Sequence, residues 1–366
     1  MGIQIANATV AMRMNVLSTF YYGLPRKLFL GRAFPCRNVV FELTYRCNLS
    51  CRMCSIMNEI ATRETLRRET ELDKEEILGV VNQLSPGSNI TFTGGEALLK
   101  KGIDEILEKT GKKYKITIAS NGALLKQHAE LLVKAGVRAL GVSLDGPPDV
   151  HDRIRNQEGL FQKLQNGLQA LIEAKRIQSS PFPAISINAV ILRENHRFLP
   201  QVVKIVKDLG LDSCTFQIFD PSLRRSGIAP DENLKEEESP LANVEGIETS
   251  SLRTCLNEII QEGRKQQVSV AFSPPLSADE IVTYYGRVFD LGDWRCHFPW
   301  QVTRVSPYGD VYPCLNYRIG NTREYPLRNL WNHERYIRFR RTLGKKGIFS
   351  ACIGCCKMFP LRGNRH

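Results

Sequence analysis

The chain predicts an α/β fold: a partial (β/α)6 TIM-type barrel followed by a small cysteine-rich module of β-hairpin and helix. Three observations carry that reading. Short β-rich runs alternate with helical patterns as far as residue 272. Glycines and polar residues recur where successive runs end, the end at which barrel enzymes place their sites, although an open doubly wound sheet would share the alternation. Paired cysteines then appear from Cys296 onward.

Strands are expected at 38–45, 89–93, 114–119, 138–144, 184–192 and 213–219, with helices at 73–84, 101–110, 123–135, 158–176 and 197–209 between them. Residues 221–250, with Pro221, Pro230, Pro240 and the acidic run Glu236 to Glu238, read as an exposed connection. A helix at 251–266 and a short strand at 268–272 complete a barrel unit spanning 38–272. The module 273–366 opens with a hairpin across Val302 to Tyr312, turning at Ser306 to Asp310, and continues with a helix around Leu327 to Leu343 bearing Trp331. Residues 1–37 form an N-terminal segment in which Val16, Leu17, Phe20, Tyr21, Leu24, Leu28 and Phe29 mix with Arg13, Arg26, Lys27 and Arg32. Over 13–32 this basic amphipathic composition suits either peripheral membrane contact or packing across the chain's own barrel.

With 366 residues, 42% of them hydrophobic, the chain can bury a core large enough for two domains. It shows neither an apolar run of the roughly 20 residues a membrane span needs nor a secretory signal. Eleven cysteines without an export signal point to metal ligation in a reducing cytoplasm. The net charge of +12 favours anionic partners. No nucleic-acid-binding signature is present.

Chemistry concentrates first at Cys47, Cys51 and Cys54, which follow directly on the first strand. Three thiolates at this spacing in a tight loop can hold three corners of a 4Fe-4S cluster and leave the fourth iron open to a chelating molecule. A zinc site or structural thiols would also explain the triplet alone. The second strand ends in Gly94-Gly95-Glu96, where glycines permit close approach to a ligand and the carboxylate can pair with an ammonium group. Ser120-Asn121 ends the third strand and Ser143-Leu144-Asp145 the fourth; His151, Asp152, Arg153 and Arg155 follow. Arg155 suits a bidentate carboxylate clamp. Asp145 reads equally as a cap of the turn before Pro147. Together these strand ends suit a zwitterionic, ribose-bearing cofactor.

The ordered set over residues 38 to 220, a C-x3-C-x2-C loop with Met53 before the third cysteine, Gly-Gly-Glu, Ser-Asn-Gly and Ser-Leu-Asp-Gly with a following Arg, resembles the radical S-adenosylmethionine (SAM) superfamily. The resemblance implies that SAM chelates the open iron and is cleaved reductively to a 5′-deoxyadenosyl radical that abstracts hydrogen from substrate. It implies a SAM-binding set of Met53, Gly94, Gly95 and Asn121, with Glu96 for the ammonium, Ser120, Ser143 and Asp145 for ribose or carboxylate, Arg155 for the carboxylate, and Val190 and Leu192 for the adenine. It also implies an electron donor such as flavodoxin or ferredoxin.

The C-terminal cysteines resemble the SPASM and Twitch auxiliary-cluster domains. Twelve residues, Gly309 and four residues separate Cys296 from Cys314, and Cys352 and Cys355 follow at C-x2-C spacing. These four would close one further 4Fe-4S cluster, although the spacing also permits zinc. Cys356 competes with Cys355, and no later cysteine exists for a second auxiliary cluster, which favours the Twitch form. Cys36, Cys214 and Cys255 read as core thiols. The expectation is a cytoplasmic enzyme that oxidises a small molecule with the auxiliary cluster as electron acceptor. A peptide or protein maturase is the alternative, and an iron-sulfur electron carrier or zinc-stabilised binding protein is the reading from another class.

Overall fold

The structure is a computed structural model that describes residues 24–25, 31–54, 70–220, 246–286, 290–314, 317–353, 355 and 357–361. The connection expected at 221–250 and the amphipathic segment at 13–32 fall largely outside these residues.

Strands β1 (Asn38–Thr44), β2 (Asn89–Gly94), β3 (Lys115–Ser120), β4 (Ala139–Ser143), β5 (Ala184–Ile191), β6 (Ser213–Ile218) and β7 (Ser269–Ser273) lie side by side in chain order, each parallel to the next. The short run expected at 268–272 is therefore a seventh parallel strand. Between the strands run α1 (Lys74–Val81), α2 (Ile103–Thr110), α3 (Leu125–Lys134), α4 (Pro148–Arg155), α5 (Leu160–Ile177), α6 (Leu199–Asp208) and α7 (Thr249–Gln266). Right-handed crossovers in a sequential sheet put all of these helices on one face. Helix α4 is one that sequence periodicity hides: Pro147-Pro148 reads as a turn, yet proline is tolerated in a first helical turn, and Val150 and Ile154 bury its inner side.

Alternation along the strands buries Phe41, Ile90, Phe92, Ile116 and Ile118 under the helices. The residues between them point to the concave side: Thr91, Thr93, Thr117, Ser143, Asn188 and Gln217, all half-buried. A closed barrel fills that side with layers of branched aliphatic side chains. Here hydroxyls and amides line it, so the concave side is a cleft.

After β7, helix α8 (Ala278–Tyr285) folds back onto the strand ends, with Tyr285 Oη donating to Ile191 O (2.6 Å) and Tyr284 Oη to Phe219 O (2.7 Å). There follow β8 (Trp294–Cys296), α9 (Phe298–Gln301), the hairpin of β9 (Thr303–Val305) and β10 (Asp310–Tyr312), and β11 (Gly320–Asn321). Strand β9 pairs in parallel with β1, Val40 opposite Arg304, so the sheet continues past the barrel in the order β11-β10-β9-β1. Glu42 of β1 is ion-paired with Arg304 across that seam and accepts from Tyr45 Oη (2.8 Å). The single helix expected around 327–343 is two, α10 (Leu327–Trp331) and α11 (Glu334–Lys346). Between them Asn332 turns its amide to the backbone of Ala33 (3.0 and 2.9 Å), and His333 caps α11. Strand β12 (Met358–Pro360) pairs with β8 in a separate two-stranded sheet. Among the described residues no helix is long and apolar enough to cross a membrane.

Candidate functional site

The three-cysteine loop begins where β1 ends. Glu71 pins its root, accepting from Thr44 Oγ1 (2.7 Å), Tyr45 N (3.1 Å) and the buried Lys100 Nζ (3.2 Å). The far side of the loop is tied to α4 and the residue after it: Arg52 N donates to Ile154 O (3.2 Å) and Asn156 Nδ2 to Ser50 Oγ (3.0 Å). Cys54 N donates to Cys51 O (3.1 Å), a turn that sets the second and third cysteines at one bend. All three thiols are free and half-buried; burial pushes those of Cys47 and Cys51 up, and each of these two feels Cys54 electrostatically. Among the described residues no three His, Cys, Asp or Glu side chains are drawn together as ligands of one ion would be. The thiolates of a cubane stand at separate corners, and a half-buried, thiol-only donor set on a braced loop fits such a cluster.

Gly94 and Gly95 bring the end of β2 against this root. A Cβ on Gly94 would meet Thr44 O at 2.2 Å, and one on Gly95 would meet Arg46 O at 2.4 Å. The close approach the sequence assigned to a ligand is here an approach to the chain's own backbone, with Gly95 N donating to Thr44 O (2.8 Å) and Glu96 N to Arg46 O (2.9 Å). Glu96 is fully buried and accepts from Leu98 N (3.1 Å), Ser120 Oγ (3.2 Å) and Asn121 N (2.8 Å). Burial raises its pKa, opposed by these hydrogen bonds and by Arg155. The Asn121 amide continues to Asn48 Oδ1 (2.8 Å) and Cys47 Sγ (3.7 Å), joining the carboxylate to the first cysteine.

Asp145 is also fully buried. One oxygen takes Arg155 Nε (2.6 Å) and the other Val190 N (3.0 Å), so its partners are internal: it aims Arg155, where the sequence suggested a ribose contact or a turn cap. Arg155 Nη1 then reaches Cys51 Sγ (4.0 Å). Asn195, which nothing in the sequence singled out beyond its place in a polar turn after β5, donates to Asp145 O (2.8 Å) and Val190 O (2.9 Å) and accepts from Leu192 N (2.8 Å). His151 accepts from Asp145 N (3.2 Å), and burial pulls its pKa down to about 4, leaving it neutral. Ser143 faces the cleft opposite Asn188 in register. Met53 and Leu192 line a cavity of about 210 Å³ with Arg52, Ile154, Phe219 and Tyr285.

A second group of thiols gathers beyond β9. Pairing of β8 with β12 sets Cys296 opposite Met358, whose N–H donates to Cys355 O (3.3 Å), and Cys355 N donates to Cys352 O (3.0 Å). Tyr317, three residues after Cys314, stacks on Phe339 at 5.2 Å, and Phe339 meets Phe349 at 5.6 Å, three residues before Cys352. Segments carrying Cys296, Cys352 and Cys355 thus meet near the end of α11, and the aromatic stack brings Tyr317 to the same helix; an all-thiol donor set of this kind is what a cysteine-ligated cluster would use. Cys356 lies outside the described residues. Cys214 and Cys255 are buried core thiols, as expected.

Residues 41–197 match the Radical SAM superfamily and residues 296–356 the SPASM iron-sulfur cluster-binding domain. An AdoMet-dependent heme synthase of Oleidesulfovibrio alaskensis is 25% identical over 364 residues, covering 93% of this chain and 88% of that protein. A PqqA peptide cyclase of Xanthomonas oryzae pv. oryzae is 27% identical over 361 residues, covering 90% and 86%. Among solved structures, Streptococcus suis SuiB bound to S-adenosylmethionine superposes with a TM-score of 0.59 at 15% identity, over 87% of this chain and 70% of that one.

Proposed function

We propose that this chain, a radical SAM enzyme with a C-terminal SPASM-type iron-sulfur domain, binds SAM between Glu96 and Arg155 and oxidises a hydrophilic substrate lying in the concave cleft. The carrying observation is a buried carboxylate and a fixed guanidinium that reach one three-cysteine loop, Glu96 through Asn121 to Cys47 and Arg155 directly to Cys51. That arrangement matches the ammonium and carboxylate of a zwitterion. Cys47, Cys51 and Cys54 would hold a cluster that, when bound, would supply the electron for reductive cleavage of SAM and so for hydrogen abstraction from substrate. Cys296, Cys314, Cys352 and Cys355 would hold an acceptor for the electron that remains once the substrate radical loses a proton. Glu96, Arg155 and Asp145 orient the cofactor; Met53, Val190 and Leu192 supply an apolar wall for its adenine, and Ser143 a hydroxyl at the cleft floor. Four cysteines for one cluster favour the single-cluster Twitch form within the SPASM group, with a flavodoxin or ferredoxin as donor and the cytoplasm as compartment.

The polar cleft bears on the substrate. A flat macrocycle such as heme would meet Thr93, Thr117, Asn188 and Gln217 where it needs aliphatic and aromatic faces, whereas a hydroxyl- or amide-rich small molecule would be hydrogen-bonded. The likeness to a peptide cyclase favours, as a second reading, a peptide whose amides use the same groups. Reconstituted, dithionite-reduced protein should release 5′-deoxyadenosine from SAM, and a water-soluble cell extract should stimulate that release. Absence of any release refutes the cofactor assignment; stimulation by a porphyrin fraction alone refutes the hydrophilic substrate.

A further inference from the structure

Charge is unevenly spread along the chain. Residues 273–366 hold fifteen Lys and Arg against seven Asp and Glu, so most of the +12 net charge lies in the C-terminal module. Helix α11 concentrates it, with six cations and one carboxylate, Glu334. Tyr336, Ile337, Phe339, Arg340 and Leu343 are buried in the core, whereas Arg335, Arg338, Arg341, Lys345 and Lys346 are exposed. Spacings of three and four residues set Arg335, Arg338, Arg341 and Lys345 in one stripe along a helix about 20 Å long. Gly31 backs onto this stripe, where a Cβ would meet Ile337 O at 2.5 Å and Arg341 Cγ at 2.9 Å, and the exposed Arg32 follows it. Like charges at that spacing destabilise a helix, although Arg338 is paired with Glu334 (3.3 Å). Lys345 and Lys346, in the last turn, complement the helix dipole; the three arginines lie before that turn and gain little from it.

Both ends of the stripe touch segments that carry the module's cysteines. Arg335 lies over the ring of Tyr317 (5.6 Å), three residues after Cys314. At the other end Gly347, which terminates α11, accepts from Cys296 N (3.2 Å), and Cys352 follows five residues later. Residues 296–356 match a domain that binds an iron-sulfur cluster, a group whose ordinary chemistry is electron exchange. The anionic partner that suits this face is a carrier of electrons with a carboxylate-rich surface. A membrane suits it poorly, because an interfacial helix sinks its apolar side into lipid and the apolar side of α11 is already packed in the core. The stripe is also of fitting size, since electron-transfer encounters bury little area and are steered by charge.

We propose that the exposed face of α11 is the docking site of an acidic one-electron carrier protein that removes the electron left on the C-terminal cluster by substrate oxidation. The reduced cluster passes one electron to the oxidised carrier, and no bond of this chain forms or breaks. The inference rests on the assignment of Cys296, Cys314, Cys352 and Cys355 to that cluster, and its test separates the two. A Cys47/Cys51/Cys54→Ala background is first analysed for metal; zinc, or no iron, overturns that assignment and the docking site with it. With iron present, oxidised flavodoxin serves as the acidic carrier. Its affinity is read by fluorescence anisotropy of labelled flavodoxin, and electron transfer from the reduced protein by stopped-flow absorbance of the semiquinone. Arg335→Gln/Arg338→Gln/Arg341→Gln should lower affinity and second-order rate about tenfold at low salt and flatten their fall with rising ionic strength. Lys126→Gln/Lys163→Gln/Lys204→Gln, which removes the same charge from exposed positions on α3, α5 and α6, should stay within about twofold of the parent. Equal values in the parent and the arginine variant, equal losses in both variants, or no binding of flavodoxin by the iron-loaded parent each overturn the proposal. So does loss of phosphatidylserine-vesicle binding by the arginine variant with its flavodoxin affinity unchanged, which would make this face a membrane contact.

Discussion

Replacing Gly95 by Ala tests whether cofactor chemistry depends on how closely β2 approaches the cysteine loop. Gly95 is not in the left-handed region, so the substitution adds bulk with no backbone strain. The new methyl would sit 2.4 Å from Arg46 O and 2.7 Å from Tyr45 O, where contacts under 3.0 Å essentially never occur, so the loop root must retreat by at least about 0.6 Å. Overpacking of this kind costs about 1–3 kcal/mol. Displacements approaching 1 Å at a reacting centre cost up to about 100-fold in rate. The expected outcome is a folded protein of lowered melting temperature whose reductive SAM cleavage falls about 10-fold to 100-fold. Gly79→Ala is the control: on α1, with nothing within 4 Å of the added methyl, it should leave cleavage unchanged and gain about 0.5–1 kcal/mol. Wild-type cleavage by Gly95→Ala would refute the idea that this contact places the cysteines.

Cys51→Ala should abolish 5′-deoxyadenosine release, since two thiolates cannot retain a three-cornered cluster; undiminished release in an anaerobic assay sinks the catalytic assignment. Because burial raises the Glu96 pKa above its ordinary 4.5, this group favours the apo fold at low pH and withdraws that support as pH climbs through its folded pKa. An ammonium bound opposite favours the carboxylate, so SAM affinity should rise over the same window and level off above it, and Glu96→Gln should flatten the profile; titration by cluster spectroscopy from pH 5 upward checks this. Asp145→Asn leaves the Arg155 guanidinium largely buried against an amide, and urea unfolding of the apo-protein should show a loss of about 3–5 kcal/mol. A loss below about 1 kcal/mol would mean that Asp145 is not what holds Arg155.

The strands were legible because two-residue alternation survives in runs such as Asn38–Thr44, and the cysteine, glycine and Ser-Asn groups lie in short unbroken stretches. What stayed hidden comes from pairings between distant residues. Glu71 and Lys100 look like ordinary surface charges until the fold sets them under Thr44 and Tyr45. Asn195 clamps a strand end 50 residues earlier in the chain. The two glycines read in the sequence as a point of close approach to a ligand, and sequence spacing cannot say that the Thr44 and Arg46 carbonyls press against them. The split of α10 from α11 depends on Asn332 finding Ala33, a contact across 299 residues that no helical periodicity encodes.

The parallel pairing of β9 with β1 governs how the polypeptide emerges from synthesis. Strand β1 is made early and its β2 neighbour soon after, but its other flank stays bare until Thr303 to Val305 have been translated. Over that interval a nascent chain presents open amides and carbonyls beside the apolar Val39 and Phe41, the kind of edge that recruits other chains. Premature termination before residue 303, or expression of the barrel portion alone, should therefore yield aggregates instead of a smaller working enzyme, and a strand from the C-terminal module acts as the cover for the first strand.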